Sequence, residues 1–201
     1  MSVSDPEVVQ RCLWNNVLSK LTTLLYQSNS TTIKEALWAF SNITAGPVSH
    51  CEQFIDSDAF DRVMVLTESR NIDVRKESLF VICNTITSSD LKTRAKLFEK
   101  TNGSVIKTMI LASNLMDLRL ILNVIESIEC LLKLDDWYGW GQTDKSVALL
   151  FERYGGLDSL DELLKHPSMD VYNKCNEILL KYFEQAESMD ISGAAGGHGH
   201  S

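Results

Sequence analysis

The chain has 201 residues, 44% of them apolar and 23% charged, which suffices to bury a sizeable core in one domain or one short run of repeats. Its formal net charge of -8, without a long block of like charge, argues against nucleic acid as the main partner and favours a cationic one such as a basic peptide. No run of about 18 apolar residues occurs and the start, Met1-Ser2-Val3-Ser4-Asp5, is polar, so neither a membrane span nor a secretion signal is expected, and the expected location is cytoplasm and nucleus.

Strand signals are lacking, because no useful length of sequence alternates apolar and polar residues between turn residues. Pro6, Pro47 and Pro167 each stand where a helix would begin and where a missing N–H is harmless. A first unit is predicted over 5–46, with helices near 6–12, 14–27 and 31–45, the last capped from Ser28-Asn29-Ser30-Thr31. A second spans 47–88, with helices near 47–55, 58–69 and 72–87 and breaks at Asp56-Ser57-Asp58 and Asn71. The third, 89–135, opens on the capping pair Ser89-Asp90, breaks at Thr101-Asn102-Gly103-Ser104 and closes in the apolar run from Leu118 to Leu134. Residues 135–142, rich in Gly and aromatics, are expected to form a loop. The fourth unit, 143–187, is expected to hold helices near 144–153, 157–165 and 168–186, with Gly155-Gly156 as a turn. Residues 188–201 carry too little apolar surface to pack and are expected to be a disordered tail.

Five cysteines, Cys12, Cys51, Cys83, Cys130 and Cys175, lie at wide spacings inside apolar helical patterns and read as reduced core residues, not as a disulfide framework or a zinc site. No cofactor is expected. The Asn-x-Ser/Thr triplets at Asn29, Asn42 and Asn102 read as coincidental. His50 and His166 have no neighbouring Ser, Cys or Asp at a spacing that signals a triad or metal site, and His198 and His200 lie in the Gly-rich tail, so catalysis is not expected.

One segment repeats. Ile33-Lys34-Glu35-Ala36-Leu37-Trp38-Ala39-Phe40-Ser41-Asn42-Ile43-Thr44-Ala45-Gly46 returns, weakened, as Arg75-Lys76-Glu77-Ser78-Leu79-Phe80-Val81-Ile82-Cys83-Asn84-Thr85-Ile86-Thr87-Ser88, a period of 42 residues of the kind that stacked helical repeats show. An aromatic followed four residues later by Asn therefore falls on one helix face twice, one repeat apart. An Asn carboxamide offers donor and acceptor to an extended peptide backbone, which no longer pairs with itself. The aromatics Trp38 and Phe80 can line slots for the stems of Lys or Arg, and Glu35 and Glu77 can meet the cationic heads. Ile33, Leu37, Phe40 and Ile43 supply the apolar stripe of the same helix, with Trp38 off its centre, so the Trp reads as exposed and not as core. In the third unit the pattern reads as decayed, with Asn123 at the aromatic position and Ser127 at the Asn position.

Glu-Ala-Leu-Trp-Ala-Phe-Ser-Asn-Ile-Thr-Ala-Gly at 35–46 resembles the Trp-x-x-x-Asn signature of the importin alpha family. Gly155-Gly156-Leu157-Asp158, His166, Val171-Tyr172 and Lys181-Tyr182-Phe183 are similar to its last repeat. The resemblance implies an armadillo-type right-handed helical solenoid of about four repeats, matching repeats seven to ten of the family's ten. It also implies a nuclear import adaptor that holds basic nuclear localisation signal peptides, with Trp38, Asn42, Glu77, Phe80 and Asn84 matching the minor signal site. Phe80 stands where Trp is expected, which weakens that slot. The basic arm that binds importin beta has no counterpart in residues 1–30, whose basic residues are Arg11 and Lys20, so direct importin beta binding is not expected. The last repeat is implied to touch the export receptor that recycles the adaptor. The alternative is an armadillo scaffold for another protein partner, without import activity; Glu35, Glu77 and the net acidity weigh against the basic groove such scaffolds present.

Overall fold

The computed structural model describes residues 16–183. The expected helix near 6–12, the first residues of the helix expected over 14–27, Cys12 and the expected tail over 188–201 lie outside the described residues. Helix α1 covers 16–24. It is followed by α2 (Ser30–Thr44), α3 (Val48–Asp56), α4 (Asp58–Leu66), α5 (Ile72–Ser88), α6 (Leu91–Lys100), α7 (Ser104–Ala112), α8 (Leu118–Tyr138), α9 (Val147–Arg153), α10 (Gly156–Leu163) and α11 (Met169–Tyr182). No strand occurs among the described residues, and no helix there is long and apolar enough to cross a membrane. The chain divides into two compact units, Met1–Leu97 and Phe98–Ser201.

In the first unit each long helix begins at a side-chain cap. Asn29 accepts from the Thr31 N–H at 2.9 Å, and Asn71 accepts from the N–H groups of Asp73 and Val74 at 3.0 and 3.2 Å. Such caps satisfy donors that the first helical turn leaves without partners. Helices α2 and α5 pack along each other, with α3 and α4 behind them. The core between them centres on Phe40, Phe54 and Phe60, whose ring centroids step at 5.5 and 5.7 Å. Helix α1 stops at Leu24, short of the expected residue 27, because the chain turns there. Leu25 is fully buried, its carbonyl accepts from Arg62 Nε at 3.0 Å, and the same guanidinium lies 4.8 Å from the Tyr26 ring centroid. Helix α6 begins as expected at Asp90, whose carboxylate accepts from the Thr93 N–H at 2.8 Å. These backbone and side-chain donors from Thr93 hold the Asp90 carboxyl below its ordinary pKa.

The second unit departs from expectation at 135–142. Instead of a loop, α8 continues through Tyr138 and stops at Gly139, which has a φ of 64° that suits a residue without a Cβ. Trp140–Gln142 then forms a 3-10 turn, with the Trp140 ring stacked 5.0 Å from Tyr138 and 5.7 Å from Phe98. Asp135 explains why the helix persists. Its carboxylate accepts from the N–H groups of Val147 and Ala148 at 2.8 and 2.9 Å and from Ser146 Oγ at 2.9 Å, so the last turn of α8 caps the first turn of α9. Gly103, at a φ of 75°, stands where an added Cβ would come within 2.8 Å of Leu150 Cδ1, which ties the turn before α7 to α9.

Candidate functional site

On α2 the buried residues are Ile33, Ala36, Leu37, Phe40, Ser41 and Thr44. Ile43, expected in that stripe, is half-buried. Trp38 projects from the other side and is 63% exposed, with Glu35 and Asn42 exposed beside it. The indole of Trp38 thus stands in solvent on a helix whose opposite side is packed. On α5, the equivalents Glu77, Phe80 and Asn84 are half-buried.

The two Asn side chains bring the helices together at this level. Asn42 Nδ2 donates to the Trp38 carbonyl one turn back at 3.1 Å, and Asn84 Nδ2 donates across to the Ser41 carbonyl of α2 at 2.9 Å. Each amide therefore spends one N–H on fixing its own rotamer and keeps a second N–H and its oxygen for a further partner. Lys34 Nζ meets Asp73 Oδ2 at 3.0 Å, a second link from α2 to α5. Trp38, Asn42, Phe80 and Asn84 are thus carried by two helices packed side by side, and Glu35 and Glu77 sit one turn toward the helix starts.

The burial pattern corrects the reading of the third long helix. Around Trp38 the residues at -2, -1, +2, +3 and +6 are buried: Ala36, Leu37, Phe40, Ser41 and Thr44. Around Phe80 the same offsets give Ser78, Leu79, Ile82, Cys83 and Ile86, all buried. In α8 these offsets are all buried around Leu122, where they fall on Leu120, Ile121, Val124, Ile125 and Ile128. They are not all buried around Asn123, because +3 would then be Glu126, which is exposed. Ser127, expected at the Asn position, is fully buried, and its hydroxyl donates to the Asn123 carbonyl at 2.7 Å. The aromatic position is therefore Leu122 and the Asn position is Glu126, which keeps the 42-residue period. In α11 the pair falls on Tyr172, 41% exposed, and Asn176, half-buried, with Val171, Cys175 and Ile178 beneath them. This last pair was legible in the sequence as an aromatic four residues before an Asn, and the sequence reading missed it.

Two segments match repeat models: residues 5–45 match the armadillo/beta-catenin-like repeat, and residues 145–196 match the atypical Arm repeat. Importin subunit alpha-5 of Arabidopsis thaliana is 28% identical over 155 residues, which is 74% of this chain and 28% of that protein. The chain thus spans little more than a quarter of this relative. Among solved structures, a designed armadillo repeat protein in complex with the peptide (KR)4 superposes with a TM-score of 0.67 at 22% identity, over 87% of this chain and 67% of the other. A computationally designed armadillo repeat protein for modular peptide recognition gives 0.68 at 21% identity, over 96% and 77%. The fold is all-α and of the armadillo solenoid type, and armadillo repeat sequence is recognisable toward both ends of the chain.

Proposed function

We propose that the face formed by α2 and α5 binds an extended, Lys/Arg-rich peptide, and that the chain works as an adaptor module of the nuclear-import kind, moving between cytoplasm and nucleus. The exposure of Trp38 one helical turn from Asn42 carries this reading, since it leaves an indole face and an amide side by side in solvent. Glu35 and Glu77 add negative charge for the cationic heads, and Trp38 and Phe80 supply aromatic faces worth about 0.5 to 2 kcal/mol per cation. The weak likeness to an importin alpha and the likeness in fold to a designed armadillo repeat protein in complex with the peptide (KR)4 support the same class of ligand. In this reading the ligand is a basic nuclear localisation signal, and the last repeat is the place where an export receptor would dock.

Calorimetric titration of a basic signal peptide tests it. Two aromatic slots support an affinity of about micromolar, or roughly -8 kcal/mol. Trp38→Ala should remove the binding heat and leave the melting temperature close to that of the wild type. Absence of heat in the wild type at millimolar peptide would leave an armadillo scaffold for another protein partner.

A further inference from the structure

The turn between α6 and α7 is built on Asn102-Gly103, a pair that is chemically reactive when its backbone is free. Asn102 stands at a φ of 53° and Gly103 at 75°, two left-handed residues in succession. The Gly103 N–H donates to the Phe98 carbonyl at 2.9 Å and the Asn102 N–H to the Glu99 carbonyl at 3.0 Å, the nested bonds that close a helix C-terminus with Asn one residue past the cap. Gly103 is buried, and a Cβ there would meet Leu150 Cδ1 at 2.8 Å and Phe98 Cζ at 3.3 Å, so the turn admits glycine alone. The Asn102 side chain is exposed. Asn followed by Gly is the least hindered case for ring closure, because no Cβ on the following residue shields its amide nitrogen.

We propose that Asn102 is a self-modification site, latched by this turn and converted to aspartate and isoaspartate when the turn opens. Once the Gly103 N–H leaves the Phe98 carbonyl, hydroxide removes its proton and the nitrogen attacks Asn102 Cγ. The new N–Cγ bond closes a five-membered succinimide, the Cγ–Nδ2 bond breaks, and the leaving amide takes a proton from water and departs as ammonia. Water then opens the ring. Addition at Cγ leaves aspartate, whereas addition at the Asn102 main-chain carbonyl leaves isoaspartate, with the chain routed through the side chain and one methylene longer. In the closed turn the Gly103 proton is committed to Phe98, so this reaction and hydrogen exchange at the same amide need the same opening. The isoaspartyl form cannot reclose the turn. Its extra methylene before the Gly103 nitrogen shifts both the bond to Phe98 and the fit of Gly103 against Leu150. Either product also puts a negative charge at the C-terminus of α6, where the helix dipole disfavours it. The change is therefore one-way, and the α-carboxylate it frees is the group that an isoaspartyl carboxyl methyltransferase would esterify from a sulfonium methyl donor.

Ageing in mildly alkaline buffer, followed by mass spectrometry of the tryptic segment 101–107, tests this, since Asn102 is the one amide side chain in that segment. The samples are the full chain, the full chain unfolded in urea, and a synthetic peptide of residues 98–106. Methyl transfer from a labelled sulfonium donor by an isoaspartyl methyltransferase separates isoaspartate from aspartate. The unfolded chain and the peptide should convert at the same rate, and the native chain at least about tenfold more slowly. That slowing should equal the protection of the Gly103 amide against hydrogen exchange to within about threefold. Asn102→Gln should show no conversion, because its longer side chain does not close the five-membered ring. In the aged, isoaspartyl chain the Gly103 amide should have lost its protection. The proposal is overturned if the unfolded chain does not convert at Asn102, if the native chain converts as fast as the peptide, or if the Gln variant converts alike. A slowing out of step with Gly103 exchange would overturn the latch, and an isoaspartyl chain with Gly103 still protected would overturn the one-way opening.

Discussion

Asn42 and Asn84 occupy equivalent positions yet differ in what they hold. Asn42 bonds within its own helix, while Asn84 bonds from α5 to the Ser41 carbonyl of α2. Truncating Asn42 removes a local, solvent-exposed bond, but truncating Asn84 removes a tie between two packed helices. Asn84→Ala should therefore cost about 1 kcal/mol of stability as well as peptide affinity, and Asn42→Ala should cost affinity with little loss of stability, as paired denaturant melts and titrations would show. Phe80→Trp should tighten peptide binding, because indole is the better cation–π face; equal or weaker binding would place the peptide away from Phe80. Among the buried thiols, Cys175 has its pKa pushed up to about 11 by burial. A raised folded-state value means that the unfolded chain loses its proton first. Stability from this group is thus complete below the ordinary value of 9.0 and declines as pH rises from there toward 11, and alkylation of Cys175 at pH 8 should proceed only as fast as the second unit opens.

Among the elements, α8 teaches most about what the sequence discloses. Helix starts were legible because Asn29, Asn71 and Asp90 act as caps through chemistry that needs only neighbouring backbone. The end of α8 was not, because its extension depends on Asp135 reaching Val147 and Ala148, a bond across a turn that no local propensity encodes. Asp135→Ala should accordingly cost about 1 to 2 kcal/mol and speed amide exchange at the start of α9 more than within α8. The rung residues of the first unit were legible from repetition alone. In α8 repetition misled, since Asn123 and Ser127 imitate the polar pattern one residue out of step, and only the burial of Ser127 against the exposure of Glu126 settles which face they share.

For the molecule as a whole, charge separates the adaptor from the scaffold reading more sharply than fold does, because armadillo-type stacking is common to both. A net charge of -8 attracts a basic peptide at long range and repels an acidic one. Exposed pairs of this kind are screened over about 10 Å at 0.1 M salt and about 3 Å at 1 M, whereas the contact of an aliphatic stem with an indole persists. Titration of a Lys/Arg-rich signal peptide at rising sodium chloride should therefore lose about tenfold in affinity between 0.05 and 0.5 M and then level off, the plateau measuring the Trp38 contact. In Trp38→Ala no binding heat should remain at any of these salt concentrations, the plateau included. A matched acidic peptide that bound more tightly than the basic one at low salt would reverse the assignment, since neither Glu35 nor Glu77 could then face the ligand, and the α2 and α5 face would belong to a scaffold.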